Sequence, residues 1–368
     1  MFKIKQIIKM LFQHLIFPIV YRVNCFRKVD DKLVILADAH HDACPPHLYV
    51  IKRELDKTDY NIVEMYMDIS KHGFIKSINF MLDFMKIYPT ARAVIICDNF
   101  LPASSCKKRN TTKLIQLWHG CGAFKKFGYD AVDDIPKGYI GNVYKNYDLV
   151  TVSGLACIKP FESAMGINKP GVVRAVGVSS TDQLFDEEYL RYCKDRFRYE
   201  HPDAVGHKVV LWAPSFRGNA GVQSGTEIIP GEDKIDAIDK EKFYVVKSFH
   251  PHMKRKTQGN MTTRELLVSA DILITDYSSV FFEGLILHKD ICFFATDYEE
   301  YTKERGYYVN YKELPGLIVT DDKDLTTILE NGNFEEIRYN TKQFFDDFMS
   351  MCDGKSTERV LNYVKNGY

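Results

Sequence analysis

Two histidines that directly follow apolar runs are the residues best suited to proton transfer in this sequence. His119 comes after the run that ends at Leu117, in a glycine-rich turn. His250 comes after the apolar run Phe243–Val246 and just before a proline. Because an imidazole titrates near neutral pH, a histidine at the end of a strand can act as a general base. On its motif alone, His119 could also be a core histidine beside a turn.

A second group of candidate residues lies where a short strand gives way to a helix. The apolar run Ile272–Ile274 ends at Thr275 and Asp276, and Ser278 and Ser279 follow just before an apolar helical segment. Hydroxyls and free backbone N–H groups at such a turn attract phosphate, above all at the carboxyl end of a parallel strand. The same residues are compatible with an ordinary capped helix.

Cationic side chains follow two of the other apolar runs. Arg217 comes after the expected strand Val209–Trp212, and a guanidinium can hold phosphate oxygens through two donors. It could instead be a surface arginine. Lys125 and Lys126, shortly after the first histidine, suit an anionic substrate or a lipid headgroup. Arg305 lies in a tyrosine-rich segment that is expected to form a loop over the site.

Composition argues against several classes of protein. The chain has 368 residues with 49 basic and 49 acidic side chains, so no overall charge favours a nucleic-acid partner. Nine scattered cysteines without a Cys-x-x-Cys pair indicate reduced thiols in a cytosolic compartment. His250 and His252 have no cysteine or carboxylate at a suitable spacing, so no metal site is expected.

The elements that must position these residues alternate between strands and helices from Lys32 onwards. The segments between the strands are long enough for crossover helices, which predicts an α/β protein with two Rossmann-like, parallel-sheet domains facing a cleft. Strands are expected at 33–37, 62–66, 93–97, 114–117, 149–152 and 172–176, and again at 209–212, 243–246, 272–274, 291–294 and 317–319. The expected domains are 29–185 and 208–345, separated by a linker or helical connection at 186–207 and followed by a C-terminal helix, 346–368, that crosses back to the first domain.

The N-terminal residues 1–28 form a separate segment. They contain six lysines and arginines and no acidic residue, and apolar residues recur at helical spacing from Ile4 to Ile19. This pattern is typical of a basic amphipathic helix that lies in the interface of an anionic membrane, and the apolar run is too short to span a bilayer. The alternative is a helix packed on the protein's own core.

Taken together, the motifs resemble a known family. The chain carries, in order, Trp118-His119-Gly120 with Lys125-Lys126-Phe127-Gly128, then Ala213–Arg217, His250-Pro251, Thr275–Ser279 and Arg305–Tyr308. This ordered set, over about residues 110 to 345, resembles the CDP-glycerol:glycerophosphotransferases of teichoic acid synthesis. The form of the segment from Gly122 to Gly128 and the short chain resemble the priming enzyme more than the longer polymerase.

The resemblance implies a fold, a location and a reaction. The fold is GT-B, and the protein would be peripheral on the cytoplasmic face of a bacterial membrane. Glycerol phosphate would pass from CDP-glycerol to an undecaprenyl-diphosphate-linked disaccharide, with release of CMP and no catalytic metal or cofactor. His119 would then be the acceptor-side base, and His250 the second essential histidine near the donor phosphates. Ser278 and Ser279 would bind those phosphates.

Alternative interpretations of individual residues and of the function remain open. Glu283 matches an acid that binds the donor ribose in GT-B enzymes, although it could be a solvated helix residue. Gly218 and Asn310 replace acids expected in the family, which leaves CDP-ribitol possible as the donor. A polymerising enzyme, a GT-B glycosyltransferase that uses a nucleotide sugar, and a silent nucleotide- or lipid-binding protein are the remaining alternatives.

Overall fold

Two parallel β-sheets organise the computed structural model of the chain. It describes residues 2–131, 134, 135, 139, 142–215, 229–249, 253, 255, 259–304, 306–321 and 324–367. The strands are β1 Asp30–Asp38, β2 Asn61–Tyr66, β3 Ala91–Ile96, β4 Lys113–Gln116, β5 Leu149–Val152, β6 Val173–Ala175, β7 Lys208–Trp212, β8 Phe243–Lys247, β9 Ile272–Thr275, β10 Asp290–Phe294 and β11 Leu317–Val319. The first sheet has the strand order β2-β1-β3-β4-β5-β6 and the second has β11-β10-β9-β7-β8.

Helices connect and flank these strands. The α-helices are α1 Phe2–Leu11, α2 Phe17–Asn24, α3 Pro46–Leu55, α4 Phe74–Ile87, α5 Leu101–Ser104, α6 Ile158–Met165, α7 Glu187–Glu200, α8 Glu232–Asp236, α9 Thr263–Ser269, α10 Val280–Ile286, α11 Tyr298–Glu304, α12 Leu325–Asn331, α13 Phe334–Phe348 and α14 Ser356–Asn366. Among the described residues, none of these helices has the length and apolar character needed to cross a bilayer.

The chain divides into two compact units that interleave along the sequence. The first unit comprises Met1–His119, Ile135–Asp182 and Met351–Tyr368, and the second comprises Gly120–Asp134 and Gln183–Ser350. The loop Gly120–Asp134 therefore groups with the second unit, although it lies inside the range expected for the first domain. The segment expected to be a linker or helical connection contains α7, which is joined to α9 of the second unit by the Arg196–Glu265 ion pair at 3.0 Å.

Continuous apolar sequence explains the central strands. Every residue of β9 is buried, as is every residue from Val34 to Asp38 in β1. A parallel strand covered on both faces needs such an apolar run rather than an alternating pattern. In the first unit, Val360 and Val364 of α14 join the core formed by β1, β3 and β4, so burial of apolar surface holds the end of the chain against this sheet.

The N-terminal helical segment has two different faces. Its inner face is largely aromatic: Phe17 is fully buried, and Tyr21 packs edge-on against Tyr88 with ring centroids 5.1 Å apart. Burial raises the pKa of Tyr21 to about 12. The outer face exposes the apolar positions identified in the sequence, with Leu15 and Ile19 each about half exposed. The segment thus packs on the protein's own core and still presents an apolar surface.

Arg109 fastens the end of this segment to the first unit. Its guanidinium donates to the carbonyl oxygens of Arg27 and Pro89 at 2.8 and 2.9 Å, and also to that of Cys25. Its backbone N–H donates to the Tyr21 hydroxyl at 2.9 Å. One side chain therefore caps three carbonyls that come from two separate stretches of chain.

We expect Arg109→Ala to lower the free energy of unfolding by about 1–3 kcal/mol, because three carbonyl oxygens, two of them in partly buried hydrogen bonds, lose a charged donor. Urea denaturation would measure the loss, and limited proteolysis near residue 28 would locate it. Lys107→Ala removes an exposed cation two residues away and is the matched control. Equal stability of the two variants would contradict the role assigned to Arg109.

Candidate active site

His119 stands just beyond the carboxyl end of β4, as the sequence predicts. Its Nδ1 atom lies 3.4 Å from Oδ2 of Asp98, which follows β3, the neighbouring strand. The imidazole stacks on Trp118 with a centroid distance of 4.4 Å, and its own side chain is 45% exposed. A carboxylate near Nδ1 and an accessible ring are the arrangement expected of a histidine that accepts a proton through Nε2.

Gln116 fixes the backbone that carries this histidine. Trp118 adopts a left-handed conformation with φ of 63°, which is rare for a bulky residue and costs free energy. The Gln116 side chain is fully buried, and its Oε1 accepts the Trp118 N–H at 2.9 Å. Its Nε2 donates to the Asp98 carbonyl at 3.1 Å and to the Tyr147 hydroxyl at 3.2 Å. The ends of β3 and β4 are therefore tied together through one amide.

The lysine motif and the tyrosine-rich motif form one substructure in the second unit. Lys125 pairs with Tyr307 in an antiparallel bridge, the Lys126 N–H donates to the Gly306 carbonyl at 2.9 Å, and the Tyr308 N–H donates to the Phe124 carbonyl at 2.8 Å. Two motifs about 180 residues apart therefore meet as a short two-stranded ladder.

An aromatic cluster lies behind this ladder. Tyr277 stacks on Tyr301 at a centroid distance of 3.8 Å, and Phe124 stacks on Tyr307 at 5.1 Å. The Tyr277 hydroxyl donates to Asp297 at 2.9 Å, and the Tyr311 hydroxyl donates to the Asp276 carbonyl at 3.2 Å. Burial raises the pKa of Tyr277 and of Tyr311 well above the usual range. These tyrosines remain neutral and act as packing and hydrogen-bonding groups.

Thr275 and Asp276 form hydrogen bonds with other residues of the second unit. The Thr275 hydroxyl is fully buried and donates to the Ala213 carbonyl at 2.7 Å. The Asp276 carboxylate, also buried, accepts the Ser215 N–H at 2.7 Å and the Tyr277 N–H. Both residues therefore fix the end of β9 to the loop after β7.

Ser278 and Ser279 are more accessible. The Ser278 Oγ accepts the Val280 N–H at 3.3 Å, and Ser279 is the N-cap residue of α10 with no side-chain capping bond. Ser279 is exposed, and its Oγ lies 3.6 Å from the position that a Cβ on Gly120 would occupy. The hydroxyl of Ser279 is thus placed beside the glycine-rich loop that follows His119 in the sequence.

Glu283 has a strong internal partner. Its two carboxylate oxygens accept hydrogen bonds from Nε and Nη2 of Arg264 at 2.9 and 2.7 Å. Burial alone would lower the pKa of the Arg264 guanidinium, but its attraction to Glu283 outweighs this effect and raises the pKa. A ribose at Glu283 would have to share the carboxylate with this buried arginine.

Three predicted site residues, His250, Arg217 and Arg305, lie outside the residues that the structure describes. Sequence reasoning missed Asp98, Gln116 and Arg264. The polar residue that ends a buried strand is the signal that would have found Asp98, because the same rule identifies His119. Among the described residues, no three His, Cys, Asp or Glu side chains come close enough to hold a metal ion.

The fold and this set of residues define a two-unit α/β protein whose polar clusters lie at the carboxyl ends of parallel strands. A solved structure of the wall teichoic acid polymerase TagF has the same fold, with a TM-score of 0.74 and 19% identity, covering 100% of this chain and 98% of that one.

Two relatives have higher sequence identity to this chain than TagF has. The chain is 31% identical to the teichoic acid ribitol-phosphate primase of Bacillus spizizenii over 296 residues, which is 75% of each protein. It is 32% identical to the teichoic acid glycerol-phosphate primase of Bacillus subtilis over 292 residues, or 74% of this chain and 73% of that protein. The family model of the CDP-glycerol:poly(glycerophosphate) glycerophosphotransferases matches residues 19–366. The chain belongs to this family of transferases.

We expect Gly122→Ala to destabilise the protein by about 1–3 kcal/mol, because an added Cβ would lie 1.9 Å from Cζ of Phe282 and φ is +68°. Gly120→Ala is the matched control in the same loop, since its Cβ would meet nothing closer than 3.6 Å. Thermal unfolding of both variants measures the difference. A Gly122→Ala variant as stable as Gly120→Ala would show that the Phe282 ring does not require a glycine.

Proposed function

We propose that this protein transfers glycerol phosphate from CDP-glycerol to a polyprenyl-diphosphate-linked disaccharide and releases CMP. The observation that carries the proposal is the His119–Asp98 pair at the carboxyl end of the first sheet, since it supplies the base that such a transfer needs. Membership of the family supports the reaction class. The proposal keeps the GT-B architecture that the sequence resemblance implies.

The proposed reaction begins at the acceptor hydroxyl. His119 accepts the hydroxyl proton through Nε2, and the oxygen forms a bond to the phosphorus that carries glycerol. The bond from this phosphorus to the bridging oxygen breaks, and CMP leaves with the electron pair. Asp98 stabilises the imidazolium that forms, because its carboxylate lies 3.4 Å from Nδ1.

The second unit is the proposed donor side. Ser278 and Ser279 would donate hydroxyl hydrogen bonds to the phosphates, and Arg217 and His250 would balance the negative charge that develops on the leaving group. Glu283 would contact the ribose only with lone pairs that Arg264 leaves available. Lys125 and Lys126 would add positive potential near the glycine-rich loop.

Donor identity is the point on which the relatives differ. One relative is named for ribitol phosphate and another for glycerol phosphate, at 31% and 32% identity. Asn310, which departs from the expected aspartate, has an internal use: Oδ1 accepts the Lys312 N–H at 3.1 Å and Nδ2 donates to Glu313 at 2.9 Å. An aspartate there would face Glu313 without a donor. This departure therefore reflects a local turn, and CDP-ribitol is retained as the second candidate donor.

Addition of a single unit is the preferred form of the reaction. The ribitol-phosphate and glycerol-phosphate primases compared above each match the chain over about three quarters of their length. The form of the glycine-rich motif points in the same direction. We infer a priming enzyme, with polymerisation as the alternative that product length decides.

The outer face of the N-terminal segment is the proposed contact with the cytoplasmic leaflet. Ile7, Leu11, Leu15, Ile19 and Val23 are exposed between 48% and 66% along one side of it. The excess of basic residues in this segment suits anionic lipid. Lys9 is the exception, because its ammonium lies over the Tyr139 ring at 5.6 Å and burial lowers its pKa.

We expect purified protein to release CMP from CDP-glycerol only when a disaccharide-diphospholipid acceptor is present. His119→Ala should reduce the rate by about 100-fold to 10,000-fold, as loss of a general base does, and Asp98→Asn should reduce it less. His288→Asn is the control, since asparagine tolerates the left-handed φ of 53° at this turn. CDP-ribitol and UDP-sugars are tested in parallel.

The results of these donor assays distinguish between the candidate functions. CMP release with CDP-ribitol alone would change the donor and keep the mechanism, whereas release of UDP from a nucleotide sugar would make the protein a glycosyltransferase. Inactivity with every donor would favour a binding protein. Undiminished turnover by His119→Ala would refute its role as the base.

We expect the triple variant Leu11→Ser, Leu15→Ser and Ile19→Ser to lose flotation with anionic vesicles while it keeps its thermal stability. The three side chains are 48–52% exposed, so the inner face that carries Phe17 and Tyr21 stays intact. Deletion of residues 1–28 would remove that inner face as well. Val205→Ser, at a 75% exposed position in the second unit, is the control. Unchanged flotation of the triple variant would place the membrane contact elsewhere.

A further inference from the structure

A buried carboxylate that the proposed reaction does not use lies at the end of β1. The Asp38 side chain is 1% exposed, and its Oδ2 lies 2.9 Å from Nδ1 of His41, whose side chain is 50% exposed. The same oxygen accepts the His40 N–H at 2.8 Å, and Cys97 Sγ lies 3.8 Å from Oδ1. Burial of a carboxylate is costly unless it is paired, so the histidine is its natural counter-charge.

The topology puts this pair where open α/β sheets bind ligands. In the order β2-β1-β3-β4, the chain moves to one side of β1 to make β2 and to the other side to make β3. A crevice opens beyond the carboxyl ends of the strands at such a switch point. His41 follows β1 on one side of this switch point, and Asp98 follows β3 on its other side.

The strand register relates the pair to His119. Ala37 is opposite Ile96, and Ile96 is opposite Gln116, so β1, β3 and β4 end at the same level of the sheet. Neighbouring strands lie about 4.8 Å apart, which separates the ends of β1 and β4 by about 10 Å. His41 and His119 each follow the end of their strand by three residues. The two histidines therefore border one edge of the same sheet.

The other carboxylates along this edge have partners of their own. Asp42 contacts Nε2 of His72 at 2.7 Å, Asp68 contacts the Lys71 ammonium at 2.8 Å, and Asp98 contacts His119. In the part of the chain that the structure describes, Asp38 is the one side chain that forms a hydrogen bond with His41. The Nε2 atom of His41 is thus available to a ligand.

We propose that His41, oriented by Asp38, binds a phosphate oxygen of the acceptor while the acceptor hydroxyl is at His119. An imidazolium next to an ionised carboxylate donates its second N–H to a phosphate oxygen in a charge-assisted hydrogen bond. The inference rests on the proposed function and specifies its acceptor side. The phosphate is either the diphosphate that links the sugar to the lipid or a phosphodiester of an attached polyol phosphate. Asp38 is a positioning residue that acts through His41.

Direct binding tests the subsite without turnover. Geranyl diphosphate and glycerophosphoglycerol serve as probes of the two phosphate sources, and isothermal titration calorimetry measures Kd for wild type, His41→Gln and the double variant Asp38→Asn/His41→Gln. The double variant leaves no buried charge unpaired, so it keeps the test valid if His41→Gln unfolds. We expect Kd for the preferred probe to rise about tenfold or more in both variants, since one charge-assisted hydrogen bond is lost.

The probe that binds more tightly identifies the source of the phosphate. His207→Gln, at a histidine just before β7 in the second unit, is the control and should match wild type. Equal Kd values in wild type and the His41 variants, or no binding of either probe by wild type, would overturn the proposal.

Steady-state kinetics separate a subsite from a structural pair. We expect the His41 variants to raise KM for the diphosphate-linked disaccharide about tenfold while KM for CDP-glycerol stays unchanged. With the disaccharide on an uncharged alkyl chain, wild type and variants should become equal. A fall in kcat with both KM values unchanged, or an equal defect on the uncharged acceptor, would assign the pair to folding and refute the subsite. Probe binding that depends on His41 in a protein without CMP release would refute the proposed function and not the subsite.

Discussion

The parallel direction of the strands is the constraint on which the rest of the structure depends. Since all strands of a parallel sheet end at the same edge, every polar residue that follows a strand is brought to that edge. In the first unit this collects Asp98 and His119, and in the second unit it collects Asp276 and the two serines. The chemistry-bearing residues are dispersed in the sequence because the fold assembles them one strand at a time.

Buried polar pairs then hold these strand ends in position. Gln116 joins the ends of β3 and β4 and supports the left-handed Trp118. Thr275 and Asp276 play a similar role for β9 and the loop after β7. Removal of one partner from such a pair leaves the other without a hydrogen bond inside the protein, which costs more than the bond itself contributes. The site is therefore supported by residues that need not touch a substrate.

Sequence reasoning reached the fold class and part of the site for an identifiable reason. Buried parallel strands are continuous apolar runs, so the run at residues 272–274 was recognisable as β9, and the residue after each run marked a strand end. Contacts between distant segments leave no such local signal. The pairing of Lys125 with Tyr307 and the Arg264–Glu283 ion pair required coordinates. The N-terminal helix was only partly predictable. It has apolar residues on both faces, so their spacing does not show which face packs on the core and which faces outwards.

Each unit contains one of the two tryptophans of the chain, which makes the protein suitable for fluorescence spectroscopy. Trp118 stacks on His119 in the first unit, whereas Trp212 ends β7 in the second unit with the Lys247 ammonium 5.4 Å from its ring. Indole emission is sensitive to nearby charge and to quenching by a protonated imidazole. Each strand edge thus contains its own intrinsic fluorophore, and replacing either tryptophan with phenylalanine would leave an optical signal that originates from one sheet alone.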